Sequence, residues 1–218
     1  MPDEFDLFES QFTCPVCGSD QIVPAIGNKN SPILIVGEYP GEEELKYSKP
    51  MVGPMGTVLR QELSYLGFDI KSARRTNLWR HPPNTSPLYT PPKSIGINKE
   101  GKFAPTKAPP KQLSKQCLQD GIEEVIKDAR GKKAILLLGD ETVKIFLDKP
   151  VTKIAGLLVK SNYFSAKIVV ACPNPAMMFH AGKGVGEVRL ALKKFVGYLE
   201  EYGITTSSKF DNSDWDTD

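Results

Sequence analysis

Two short stretches carry residues whose types and spacing could do chemistry. In "ILIVGEYPGEEE" (33–44), four apolar residues end in Gly37-Glu38-Tyr39-Pro40-Gly41, and three more carboxylates follow. Gly37 and Gly41 permit backbone angles that other residues resist, and Pro40 fixes its own φ. A rigid turn at the carboxyl end of a strand is where open α/β sheets place ligands. Glu38 is then a carboxylate held beside a crevice; the alternative is an ordinary turn with a solvated Glu. In "CPVC", Cys14 and Cys17 stand at metal-ligand spacing. Such a pair is half a zinc site, a redox pair or chance, and a metal would need further ligands. Cys117 and Cys172 are isolated, and the two histidines are His81 and His180. His81 begins a Pro-rich stretch, where a ligand could project. Cys172 ends an apolar strand and reads as a buried thiol.

The elements that must position these groups alternate. Strands are expected at "ILIV" (33–36), "TNLW" (76–79), "AILLL" (134–138) and "KIVVA" (167–171), with a weaker one at "GLLVK" (156–160). Amphipathic helical patterns fill 53–67, 114–129, 139–147 and 186–203, with Asp140 as a capping residue. Continuous apolar strands between helices predict a three-layer α/β/α fold around a central sheet of four or five mostly parallel strands. Residues 82–113 break the rhythm with eight of the chain's 18 prolines and five lysines, and read as a long extended loop. The expected organisation is an acidic arm (1–11), one domain (12–204) and an acidic mobile tail (205–218).

Composition narrows the partners. The 218 residues are 40% hydrophobic and 25% charged, ordinary for a globular domain. No apolar run reaches membrane-span length, and the acidic start lacks a signal-peptide pattern, so a cytoplasmic protein with no membrane segment, acting as a monomer, is expected. The net charge of +2 hides an asymmetry. Without residues 1–9 and 211–218 the chain holds 28 basic against 18 acidic residues, and 71–133 alone holds 14 against 5. That excess points to a polyanion such as nucleic acid, or to a solvated basic surface. No Walker or Rossmann glycine pattern is present.

Taken in order, "CPVC", "VGEYPGEEE", "KPMVGPMG", "TNLWRHPPN", Cys117, "LLGDETVKIFL", "TKIAG" and "NPAMM" resemble the motif series of the iron–sulfur (family 4) type of uracil-DNA glycosylase. The resemblance covers roughly residues 12–203. It implies a base-excision-repair hydrolase that acts on uracil or a related pyrimidine in DNA. Glu38 falls where the family's acidic residue helps the attacking water, and Asn77 where an asparagine reads the uracil edge. Gly37, Tyr39, Gly41 and Met51 fall around the base pocket, and Met177 and Met178 on the loop that pushes into DNA. The departures are at chemical positions: Met51 for a stacking Phe, Asn174 for a catalytic His, and Tyr39 for a small residue.

For the metal, the resemblance matches Cys14, Cys17 and Cys117 to three cluster ligands, and His81 lies at or beside the fourth position. It implies a [4Fe–4S] cluster; three thiolates and an imidazole also suit structural zinc. The alternative fourth ligand is Cys172, with His81 facing DNA. Arg74, Arg75, Arg80 and Lys183 are the candidate phosphate contacts. The tail around Trp215 could meet a protein partner or compete with DNA for the basic face. A catalytically inactive DNA-binding or replication-accessory module is the competing reading.

Overall fold

The structure, a computed structural model, describes residues 14–19, 21–82, 115–179 and 184–204, with the backbone alone at 95–97, 103–105 and 111–114. The chain runs β1 (Ile33–Gly37), α1 (Glu42–Tyr47), α2 (Pro54–Tyr65), β2 (Arg74–Asn77), β3 (Ile95–Ile97), β4 (Phe103–Pro105), α3 (Lys111–Asp128), β5 (Ala134–Leu138), α4 (Asp140–Leu147), α5 (Val151–Ile154), β6 (Ile168–Cys172) and α6 (Gly184–Glu201). Strands β2-β1-β5-β6 form one sheet in that order, all parallel.

Every residue of these four strands is buried, which explains their continuous apolar runs. Side chains alternate between two cores. Leu34, Val36, Ile135, Leu137, Val169 and Ala171 face one layer, with Val125 of α3 and Phe146 of α4. Ile33, Ile35, Leu136, Val170 and Cys172 face the other, with Leu63 of α2 and Phe195 of α6. Each fully buried side chain of this size contributes roughly 1.5–3 kcal/mol. The result is the three-layer α/β/α arrangement read from the alternation.

Several expectations are corrected. Strand β2 begins two residues earlier than "TNLW", and its outer edge is covered by a bridge between Ile26 and Arg75. "GLLVK" forms no strand: Gly156 turns at φ +73°, leaving isolated bridges from Ala155 to Ala171 and from Leu158 to Val170. The 82–113 segment is not a loop throughout, because β3 and β4 pair antiparallel within it and α3 begins at Lys111. Asp140 is not a cap; Gly139, at φ 90°, precedes the helix without a side-chain cap. The arm 1–11 and the tail 205–218 lie outside the described residues. Among the described residues no helix is long and apolar enough to cross a membrane.

Candidate active site and metal centre

The carboxyl ends of β1, β2 and β6 converge. Gly37 and Asn77 are register partners at the ends of β1 and β2, and Asn174 follows β6 by two residues. Between them lies a cleft of about 270 Å³ lined by Glu38, Tyr39, Met51, Asn77, Asn174 and Phe179, among others.

Both oxygens of Glu38 are held. The backbone N–H of Glu141, in the first turn of α4, donates to Oε1 at 2.9 Å. The Asn174 side-chain amide donates to Oε2 at 2.9 Å. Asn174 is itself fixed, because its Oδ1 accepts from the Ala176 N–H at 2.9 Å. The α4 N-terminus brings partial positive charge to the carboxylate. Gly139 is required beside it: a Cβ there would overlap the Glu38 carboxyl group. The same logic holds at Gly37, where a Cβ would overlap the Asn77 amide.

Asn77 is the opposite case. It is 4% exposed, and neither its Nδ2 nor its Oδ1 has a hydrogen-bond partner among the described residues. Met51 is buried beneath the cleft with φ 61°. Tyr39 and Phe179 are half exposed at its rim.

Sequence reasoning missed Glu44, Trp79 and Phe179. Buried Glu44 accepts from Gly41 N at 3.0 Å and Gly53 N at 2.8 Å, clamping the Glu38 turn to the loop before α2. Its signal was the third acid after Gly41, a position from which a carboxylate reaches back to a helix start. Trp79 donates its indole N–H to Glu141 at 3.1 Å. Phe179 adjoins Met177 and Met178; Met177 and Phe179 are exposed, and Met178 is partly buried against the core.

The phosphate contacts also need correction. Arg75 is 0% exposed, and Arg74 is buried against Asp128 at 3.1 Å and the Gly27 carbonyl at 3.0 Å. Arg80 is partly buried in an ion pair with Asp120 at 3.3 Å. The Arg74 and Arg75 guanidinium groups are thus drawn away from the surface, while Arg80 keeps partial exposure. Lys183 lies outside the described residues.

Across the sheet edge, Cys14, Cys17, His81 and Cys117 come together, all buried, with their donor atoms within 4.8 Å of one another. A tight turn presents the pair: Cys14 N donates to Ser19 O, and Gly18, at φ +70°, returns its N–H to Cys14 O. Burial pushes the Cys14 and Cys117 thiols up, while the Val16 and Cys17 amides pull Cys14 back toward thiolate. His81 Nδ1 meets the Pro82 carbonyl at 2.9 Å. That contact fixes the ring so that Nε2 faces the sulfurs. Three thiols and an imidazole, converging and dry, are the donor set of a four-coordinate metal. Cys172 is excluded from it: it faces the opposite core, against the Val188 carbonyl.

The two sites are joined through the backbone. Leu78 N and Trp79 N donate to the Gly37 and Glu38 carbonyls, both at 2.8 Å. The segment that carries His81 therefore supports the turn that carries Glu38.

A three-layer α/β/α domain with a fixed carboxylate and an unpartnered amide at the carboxyl end of its parallel sheet, and a thiol-imidazole corner beside it, is the class of protein that the geometry defines among the described residues. Residues 24–199 match the Uracil DNA glycosylase superfamily, and the chain belongs to it. It is 31% identical over 84 residues to the type-4 uracil-DNA glycosylase of Archaeoglobus fulgidus, an alignment covering 36% of this chain and 42% of that protein.

Proposed function

We propose that this protein binds DNA and hydrolyses the N-glycosidic bond of uracil or a related pyrimidine. The observation that carries the reading is Asn77, a residue lining the cleft that holds Glu38, whose buried amide has neither polar atom paired among the described residues. Leaving such a group unpaired costs about 1–3 kcal/mol. A pyrimidine edge offers a donor beside an acceptor, and an amide returns the complement. The base must leave the stack to reach the cleft, at a cost of a few kcal/mol. Met177 and Phe179, exposed on the turn beside the cleft, are apolar groups suited to filling the vacated space.

Water attacks C1′ of the sugar, and the C1′–N1 electron pair leaves with the pyrimidine, which takes up a proton. The sugar gains positive charge on the way. Glu38 stabilises that charge and orients the water, and its two donors hold it so that little reorganisation is needed. Asn174 acts here as a positioning residue. The metal corner is structural and steadies the Glu38 turn through Leu78 and Trp79. Basic residues of the 82–113 segment, rather than the buried arginines, supply phosphate contacts. The acidic tail around Trp215 is offered for a protein partner.

The test is single-turnover base release from single- and double-stranded oligonucleotides containing uracil. Release by the parent and none by Glu38→Gln supports the reading. DNA binding without release from any pyrimidine substrate favours a catalytically inactive DNA-binding module. Asn174 lends that reading its one support, since its amide is committed to Glu38 rather than to a leaving base.

A further inference from the structure

We infer that Cys14, Cys17, Cys117 and His81 hold a single zinc ion in tetrahedral coordination, not an iron–sulfur cluster. The spacing of the donors carries the inference. Zn–S bonds of about 2.3 Å and Zn–N bonds of about 2.0–2.1 Å put tetrahedral donors roughly 3.5–3.8 Å apart. Here Cys17 Sγ and His81 Nε2 are 3.5 Å apart, and all four donor atoms lie within 4.8 Å of one another. A four-iron cluster sets four irons and four sulfides between its ligands, so its donors stand well beyond that separation. The corner lies in a buried cluster that also holds Ile22, Trp79 and Val125, and expanding it would mean parting that core.

The ligand types agree. Three cysteines with one histidine is a closed structural zinc set. The histidine is pre-oriented by the Pro82 carbonyl, a polar partner outside the coordination sphere that fixes a metal-binding tautomer. The Cys14–Cys17 turn, closed by Gly18 at positive φ, presents both sulfurs to one point. Zinc here does no redox chemistry; it fastens the N-terminal segment and α3 to the end of β2. This inference stands apart from the proposed catalysis, since metal content is read without any substrate.

The test is metal and sulfide analysis of the full chain, expressed with iron and zinc both supplied and purified without oxygen. The expected result is about one zinc per chain, no acid-labile sulfide and no visible absorption. Iron with stoichiometric sulfide and a visible band overturns the inference, as does a single iron without sulfide or a metal-free folded protein. Trp79 gives an independent optical readout in a Trp215→Phe background, because the chain has two tryptophans and Trp79 packs in the same cluster as the three cysteines. Its emission should be unquenched and should shift when a chelator strips the metal; strong quenching relieved by cluster destruction would contradict zinc. His81→Cys should still retain one zinc, and Cys172→Ser should leave the metal content unchanged.

Discussion

The cleft and the thiol-imidazole corner are built from the same strands and handle polarity in opposite ways. In the corner, four donor atoms converge on one point in a dry core, so a cation is what completes them. In the cleft, Glu38 has both oxygens satisfied by the protein, while the neighbouring Asn77 has neither polar atom satisfied among the described residues. A satisfied carboxylate is one whose position is fixed in advance. An unsatisfied amide is one that a ligand can pair with at no cost to an existing hydrogen bond. The contrast separates fastening from recognition within one fold, and substitutions can pull the two apart.

The largest expected effect is at Glu38. Glu38→Gln replaces an oxygen by an amide that cannot accept from both Glu141 N–H and Asn174 Nδ2. Base release should fall by at least about 10²-fold, with an unchanged circular dichroism spectrum. Next is the corner. Cys117→Ser should cost several kcal/mol of folding free energy, about 10 °C in Tm, read by calorimetry. Asn77→Ala should split the other way: kcat/KM should drop by about 10-fold or more for an amide that pairs with the base, while Tm stays within a few degrees, because no side-chain hydrogen bond among the described residues is lost. A large loss of stability at Asn77 would mean that the amide is structural. Trp79→Phe removes the indole N–H donated to Glu141 together with the five-membered half of a buried ring, a loss of about 1.5–3 kcal/mol for the bond to a charged group plus a cavity cost. It should slow release by less than Glu38→Gln does and leave metal content intact. The smallest effect is at Cys172→Ala, which removes a buried thiol from the core face opposite the metal and should touch neither metal nor rate.

The layered fold was legible because apolar runs buried on both faces leave an unbroken pattern, as at Ile33–Val36 and Ala134–Leu138. The Gly37-Glu38 turn was legible as glycines and a proline after an apolar run, but not for the reason read from them: Gly41 has an ordinary φ of −86°, and Gly37 is needed for its close approach to Asn77. The arginines were not. A charge count treats every guanidinium as exposed, whereas Arg74 is matched by Asp128, 54 residues away, and by the Gly27 carbonyl. Met178 differs from its neighbour in a way that adjacency hides: Met177 is exposed and Met178 is partly buried against the core. The hairpin β3–β4 was hidden by prolines and lysines that read as loop. Glu44 was legible only as one of three acids, because its two backbone partners come from turns that the fold brings together.

The salt dependence of DNA binding follows from the same revision. With Arg74 and Arg75 buried, substituting them should change stability, while removing lysines in 82–113 should flatten the slope of log affinity against log salt.

Uracil release in a single turnover, compared between the parent and Glu38→Gln on the same oligonucleotide, tests the central claim most directly. The account predicts a free uracil product and an abasic site from the parent, and loss of both in the variant with DNA binding retained. Equal release by the two proteins would contradict the role of Glu38, and release by neither, from uracil or any other pyrimidine, would contradict the proposed catalysis.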